Sequence, residues 1–299
     1  MIEPGTGDVS TRAAARSPTS GHVQANGIRF AYLEQGAGPL VLLLHGFPDN
    51  AWTYRRQLEV LSRAGYRAVA PFLRGYAPTE IPADGRFDPA TLGRDVHGLI
   101  RALSATGKAF VVGMDWGGTA THAALVNHPD DVAAAVLMNT AHPVTLASVT
   151  RDPELLQRLF HFWFFQPETI DQLVAVEGLP IVDYLWRIWS SRGVDPEHVR
   201  SVKETLSAPG TLKAALSYYR QLYQSAITRT FPVGPIATPT LSVFGANDPT
   251  AKYAQLEESV FRGSYRRVIL PEVGHFPHLE SPDEVDSLIL DWLGAHRTR

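Results

Sequence analysis

The sequence has no cysteine among its 299 residues. This absence excludes disulfide bonds, thiolate metal sites, iron–sulfur clusters and a cysteine nucleophile. The chain also lacks an excess of either charge, because 27 Lys and Arg residues oppose 30 Asp and Glu residues. Such a balance is unlike that of a nucleic-acid groove or of a basic membrane-binding surface, so we expect neither partner.

Long hydrophobic runs are missing too. The longest aliphatic run beside a predicted strand is Leu40–Leu44, far short of the ~20 residues that span a bilayer. Residues 1–20 contain Arg12 and Arg16 but no apolar stretch typical of secretory signals, and are predicted to form a flexible tail. We therefore expect a cytoplasmic protein. Its hydrophobic share of 44% is enough for a sizeable core.

What the first half of the chain does have is an alternation of short apolar strands and helical segments. Two strands are predicted within 23–35, around the turn signal Asn26-Gly27. Further strands are predicted at 40–44, 67–70, 109–112 and 132–138, and helices near 52–64, 88–105 and 117–127. This alternation predicts an α/β fold with a mostly parallel, doubly wound sheet and helices on both faces.

The alternation stops after about residue 141 and resumes after about residue 234. The intervening segment is helix-like and crowded with aromatic residues, whereas 240–244 and 267–270 again resemble strands and 282–293 a helix. We predict a core made of residues 21–141 and 235–299. A helical cap, residues 142–234, is inserted between its sixth and seventh strands.

The strongest chemical signal is Gly113-Met114-Asp115-Trp116-Gly117, placed between a predicted strand and a predicted helix. It has the Gly-x-nucleophile-x-Gly form of a sharp turn that exposes a nucleophile at the carboxyl end of a strand. Glycine is needed on both sides because the strand and helix nearly touch. The alternative is a glycine-rich turn in which Asp115 only caps the helix.

Other residues favour the nucleophile interpretation. The loop His45-Gly46-Phe47-Pro48 follows the strand at 40–44, Asp248 follows the strand at 240–244, and His275 follows the last strand. Nucleophile, acid and histidine thus occur in the chain order known for one large class of hydrolases.

These motifs resemble those of the epoxide hydrolase branch of the α/β-hydrolase fold. The resemblance rests on His45–Trp52 (HGFPDNAW), on Arg74-Gly75-Tyr76, where Ala77 replaces the family's next glycine, and on Gly113–Gly118 (GMDWGG). It implies that Asp115 is the nucleophile and that Asp248 orients His275, the general base. It also implies an oxyanion hole formed by the backbone N–H groups of Phe47 and Trp116.

An aspartate at this turn determines the reaction class. A carboxylate is ionised at pH 7 and can displace a leaving group from an sp³ carbon, which produces an ester on Asp115. Water activated by His275 would then hydrolyse that ester. Hence we expect a small apolar epoxide and water as substrates, a vicinal diol as product, no cofactor and no metal. The enzyme would be a monomer or a homodimer.

Two other functions stay open. The same nucleophile serves haloalkane dehalogenases, but these usually carry Asn, Gln or Glu where this chain has Phe47. A non-catalytic small-molecule binding protein of the same fold is the other alternative, although binding alone does not need the set Asp115, Asp248 and His275.

Epoxide opening needs an acid opposite the nucleophile. Ser217-Tyr218-Tyr219-Arg220 resembles the family's cap motif, which implies that Tyr219 is a ring-opening acid. His161 stands where a second tyrosine is expected and is predicted to act as the second acid. The alternative is that both only line an aromatic cap. We expect Trp163, Phe164 and Tyr218 to line the substrate pocket.

Overall fold

The computed structural model describes residues 17–140, 142–145 and 151–297. In these ranges eight strands form one sheet in the order β1-β2-β4-β3-β5-β6-β7-β8. Their bounds are β1 Thr19–Ala25, β2 Ile28–Gln35, β3 Leu40–Leu44, β4 Arg67–Pro71, β5 Ala109–Met114, β6 Val132–Met138, β7 Thr240–Gly245 and β8 Tyr265–Leu270. β2 pairs antiparallel with β1 and β4, and the remaining pairs are parallel.

The helices cover the sheet and the carboxyl ends of its parallel strands. Their bounds are α1 Arg55–Arg63, α2 Pro89–Leu103, α3 Trp116–Asn127, α4 Pro153–Arg158, α5 His161–Phe164, α6 Ile170–Val174, α7 Pro180–Trp189, α8 Pro196–Ser207, α9 Thr211–Thr228, α10 Pro277–Glu280 and α11 Pro282–Ala295. Segments of 3₁₀-helix span Ala51–Tyr54, Pro129–Asp131 and Pro249–Val260. None of the described helices combines the length and apolar character needed to cross a bilayer.

The fold class predicted from the sequence is confirmed, and the differences are local. β1 begins at Thr19, inside the predicted tail, because its backbone pairs with β2 from Thr19 opposite Glu34 onward. Residues 1–16 of that tail lie outside the described residues. The predicted helix at 52–64 divides into a 3₁₀ turn, capped by the Asn50 side chain, and α1. The 3₁₀ segment after Asp248 was not predicted.

Helices α4–α9 occupy the stretch between β6 and β7. The predicted bounds of this segment, 142–234, include 146–150, which are outside the described residues. Helix α7 contacts the core directly, since the indole N–H of Trp186 donates to the carbonyl of Pro48 at 2.9 Å.

The turn between β5 and α3 is as tight as the glycine spacing predicts. Asp115 has φ 50° and ψ −114°, a strained conformation for a residue with a side chain. A Cβ on Gly117 would lie 2.0 Å from the carbonyl oxygen of Leu44. A Cβ on Gly113 would lie 2.5 Å from the carbonyl oxygen of Gly117. Backbone atoms therefore fill the space that any larger residue would need.

Gly117→Ala should consequently destabilise the fold by about 3 kcal/mol or more, because backbone rather than a movable side chain blocks the methyl group. Urea unfolding measures this loss. Gly294→Ala is the control, since that glycine is exposed in α11 with no atom within 4 Å of a new Cβ. The control should gain about 0.5–1 kcal/mol. Equal stability of the two variants would contradict the close approach at the turn.

Candidate active site

Asp115 lies at the carboxyl end of β5 with its two oxygens in different surroundings. Oδ1 accepts a hydrogen bond from the backbone N–H of Phe47 at 2.8 Å. Oδ2 faces Nε2 of His275 at 3.9 Å. Burial raises the pKa of Asp115 to about 6, and His275 and the N–H groups of Phe47 and Trp116 limit that rise. The carboxylate is therefore mostly ionised at pH 7.

His275 is held by a hydrogen bond to Asp248. Its Nδ1 donates to Oδ2 of Asp248 at 2.6 Å, while Oδ1 of Asp248 accepts from the backbone N–H of Thr250. Nε2 is buried and has no hydrogen-bond partner among the described residues. Burial by itself lowers the pKa of His275, but the charges of Asp248 and Asp115 outweigh it and raise that pKa.

A cavity lies between this edge of the sheet and helices α4–α9. Its polar end contains Asp115, Asp248 and His275, together with the predicted residues Trp116, His161, Trp163 and Tyr219. Most of the remaining wall is apolar and includes Leu156, Leu159, Phe162, Trp189, Leu222 and Phe231. The arrangement suits an apolar molecule with one polar reacting group.

Tyr219 and His161 present polar atoms on the side of the cavity formed by α5 and α9. The Tyr219 hydroxyl and Nδ1 of His161 are buried and form no hydrogen bond within the described part of the chain. Burial raises the pKa of Tyr219 well above its usual value and lowers the pKa of His161 to about 3. Both groups are therefore neutral at pH 7. His161 can donate only as a neutral imidazole, not as an imidazolium.

Two residues predicted to line the pocket lie elsewhere. Tyr218 points away from the cavity, and its hydroxyl donates to the backbone carbonyl of Arg74 at 2.7 Å. Adjacent positions on a helix face directions about 100° apart, so only Tyr219 of this pair reaches the cavity. Phe164 is 36% exposed on the outside of α5. The prediction is wrong for both, whereas Trp163 lies in the cavity wall.

Sequence reasoning missed the residues that hold the loop bearing Phe47. The carboxylate of Asp49 is fully buried and pairs with Nε2 of His198, on α8, at 2.8 Å. The side-chain amide of Asn50 donates to the hydroxyls of Ser201 and Thr205 on the same helix. The only signal in the sequence was two polar residues directly after an apolar loop, which does not identify their partners.

Asn139 also escaped prediction. It follows β6 with φ 42°, and its side chain joins the two loops that carry the acid and the histidine. Oδ1 accepts from the backbone N–H of Gly245, and Nδ2 donates to the carbonyl of Gly274 at 2.8 Å. This amide fixes the separation of Asp248 and His275.

Within the described ranges, one group of three possible metal ligands lies close together: His97, His128 and Asp131. The two rings stack at 4.2 Å and 19°, so their lone pairs lie in nearly parallel planes and do not converge on one ion. His97 instead bonds the carboxylate of Asp131 at 2.5 Å. His278, three residues after His275, bonds the hydroxyl of Thr53.

Comparison with known proteins gives consistent likenesses. The family model for the alpha/beta hydrolase fold matches residues 39–282. The chain is 32% identical over 289 residues to epoxide hydrolase 3 of Xenopus tropicalis, covering 90% of this chain and 75% of that protein. It is 28% identical to epoxide hydrolase 4 of Homo sapiens, covering 91% and 77%.

Solved structures show the same likeness. Epoxide hydrolase A from Mycobacterium thermoresistibile matches with a TM-score of 0.80 at 27% identity, covering 93% of this chain and 98% of that chain. An epoxide hydrolase from Vigna radiata matches in fold with a TM-score of 0.81 at 23% identity, covering 95% and 100%.

Proposed function

The chain belongs to the epoxide hydrolases of the alpha/beta hydrolase fold, and from this membership we propose that it converts a small apolar epoxide and water into a vicinal diol through an ester on Asp115. The observation that carries the proposal is the asymmetry of the Asp115 carboxylate. One oxygen is bound by the backbone N–H of Phe47, and the other faces His275 below two neutral donors.

In the first step the free oxygen of Asp115, Oδ2, attacks an epoxide carbon. The carbon–oxygen bond of the ring breaks, and its electron pair stays on the epoxide oxygen. Oδ1 becomes the ester carbonyl oxygen and keeps its hydrogen bond from the N–H of Phe47. That N–H and the backbone N–H of Trp116, which we propose as the second donor, would stabilise an oxyanion there later.

The departing alkoxide is a strong base and needs a donor on the side of the cavity opposite Asp115. The buried hydroxyl of Tyr219 supplies a proton, and the neutral imidazole of His161 supplies a hydrogen bond. The ring centroids of these residues lie 5.4 Å apart, close enough for both to address one oxygen.

The second step belongs to His275. Nε2 takes a proton from water as the water oxygen bonds the ester carbonyl carbon of Asp115. The tetrahedral intermediate then collapses, and the proton on His275 passes to the departing diol oxygen. The carboxylic acid left on Asp115 releases its proton, one proton returns to Tyr219, and both groups regain their starting charge. Because the ester is uncharged, His275 loses one of the three carboxylates that raise its pKa when it must act as a base.

Helices α4–α9 act in this proposal as the cap of the enzyme. They supply Tyr219 and His161 and most of the apolar wall. Excluding water from this wall strengthens the interactions among the charged groups below it.

The second candidate is haloalkane dehalogenation by the same nucleophile. One observation favours it: the indole N–H of Trp116 is buried beside the cavity without a partner among the described residues, and a leaving halide needs such a donor. The side chain of Phe47 offers no second donor, whereas Tyr219 and His161 suit an oxygen leaving group.

A substrate panel separates these functions. The purified protein is incubated with aliphatic and aryl epoxides and with haloalkanes of matched size. We expect diol, detected by chromatography, from the epoxides and no halide, measured by ion chromatography, from the haloalkanes. Halide release without diol would overturn the proposal. Binding of the epoxides without either product would favour a non-catalytic binding protein.

Variants at the two central residues test the ester. Asp115→Asn should lose turnover by at least about 10³-fold, because it removes the nucleophile. His275→Gln should form the ester and fail to hydrolyse it, so intact mass spectrometry should detect the protein plus one substrate on Asp115. If His275→Gln turns over at the wild-type rate, the histidine is not the base.

Tyr219→Phe tests the ring-opening acid. We expect ester formation to slow by roughly 10²-fold, since loss of a general acid costs about 10²–10⁴ and His161 remains as a donor. Ester hydrolysis should change little, and single-turnover quenching measures the two steps separately. Tyr184→Phe is the control, because that tyrosine is partly exposed on α7 outside the cavity wall. Equal slowing of both steps would indicate a structural tyrosine.

A further inference from the structure

Glu280, the last residue of α10, accepts four backbone hydrogen bonds with its carboxylate. Two come from the residues on either side of His275: Gly274 at 2.9 Å and Phe276 at 3.0 Å. Two come from the end of the cap helix α7: Ser191 at 2.8 Å and Arg192 at 3.2 Å. We call this set of four contacts the Glu280 clasp.

The clasp surrounds a direct contact between the cap and the catalytic histidine. The backbone N–H of His275 donates to the carbonyl of Trp189 at 2.8 Å. The Trp189 ring lies 5.1 Å from the ring of His275 and 4.7 Å from that of His161. A Cβ on Gly274 would lie 2.3 Å from the Trp189 carbonyl, so glycine permits the close approach.

In the part of the chain that the structure describes, the carboxylate of Glu280 is not part of a surface ion pair. Glu280 is 6% exposed, and the guanidinium of Arg192 bonds its main-chain carbonyl rather than its carboxylate. The buried charge is therefore balanced by backbone dipoles, which are strong partners for a carboxylate. All four dipoles belong to the two segments that meet at His275.

We propose that Glu280 is a positioning residue for ester hydrolysis, which holds the His275 loop against the Trp189 end of the cap so that Nε2 faces Asp115. The inference rests on the proposed function, because it assigns Glu280 to the second step of that reaction. Ester formation does not use the clasp directly. The loop after Phe47 is held by the bonds of Pro48 and Asp49 to α7 and α8, and the Tyr219 ring packs against those of Phe47 and Trp116.

The charge of Glu280 also affects the pKa of His275, so the pH dependence of ester hydrolysis provides a second test of the proposal. Among the described residues, five titratable groups are coupled to the charge of His275: Asp248, Asp115 at the turn, His161 on α5, and Glu280 and His278 on α10. Burial lowers the pKa of His275, and Asp248, Asp115 and then Glu280 raise it, whereas His275 and His161 disfavour each other's charge. Removing the charge of Glu280 should therefore lower that pKa and move the acid limb of hydrolysis to lower pH.

Two variants separate the effect of the charge of Glu280 from the effect of its side-chain length. Glu280→Gln keeps the shape but has one oxygen for the four N–H groups, and Glu280→Asp keeps the charge but is one methylene shorter. Both should slow ester hydrolysis about 10–100-fold, the cost of a small displacement of a catalytic group. Both should accumulate the ester on Asp115 by intact mass. Only Glu280→Gln should move the acid limb.

Glu257→Gln is the matched control. Glu257 is also a buried carboxyl group, 1% exposed, and burial raises its pKa to about 7. It accepts a hydrogen bond from the hydroxyl of Tyr265 in β8 and lies outside the cavity wall. Its ester level and acid limb should equal those of the wild type. The same result for both Glu280 variants would overturn the inference. If Glu280→Gln does not fold, a wild-type ester level in Glu280→Asp is sufficient to overturn it.

If the proposed function itself is wrong, the experiments give a different result from the one that overturns only the role of Glu280. In that case the wild-type protein and His275→Gln carry no substrate mass on Asp115. If the ester forms in His275→Gln but the Glu280 variants behave as wild type, only the role of Glu280 is wrong.

Discussion

The close approach of β5 and α3 at Asp115 is the constraint on which the rest of the site depends. A non-glycine residue with φ 50° costs on the order of 1–3 kcal/mol, and surrounding packing must supply that energy. The buried strands β3, β5 and β6 do so, and Gly117 allows α3 to begin against the carbonyl of Leu44. The strain directs the Asp115 carboxylate out of the sheet, toward the loop that carries Phe47.

Burial then sets the protonation state of the titratable groups in the cavity. It raises the pKa of Asp115, yet leaves that group mostly ionised at pH 7. It also keeps Tyr219 protonated and His161 uncharged. One low-dielectric cavity thus holds the anionic carboxylate of Asp115 facing neutral donors, the combination that the proposed opening of a strained ether requires.

How much of the site could be predicted from the sequence depends on how far apart in the chain the interacting residues lie. The turn at Asp115 and the order of Asp248 and His275 are local signals, and the structure brings the three side chains together. Tyr218 was misassigned because a motif gives position along a helix but not which of two neighbours faces a cavity. Glu280 went unnoticed because its partners lie up to 89 residues away and are backbone groups, which no side-chain motif records.

The hydrogen bonds from α7 and α8 to the loop at 45–50 have a consequence for how the cavity can open. Trp186 is bonded to Pro48, and His198 to Asp49, one and two residues beyond Phe47. Swinging these helices away would break both bonds and release the loop whose N–H binds Asp115. Opening the cavity in this way would therefore also release the loop that binds Asp115. Water that entered the open cavity would meet a site whose hydrogen bonds are not assembled.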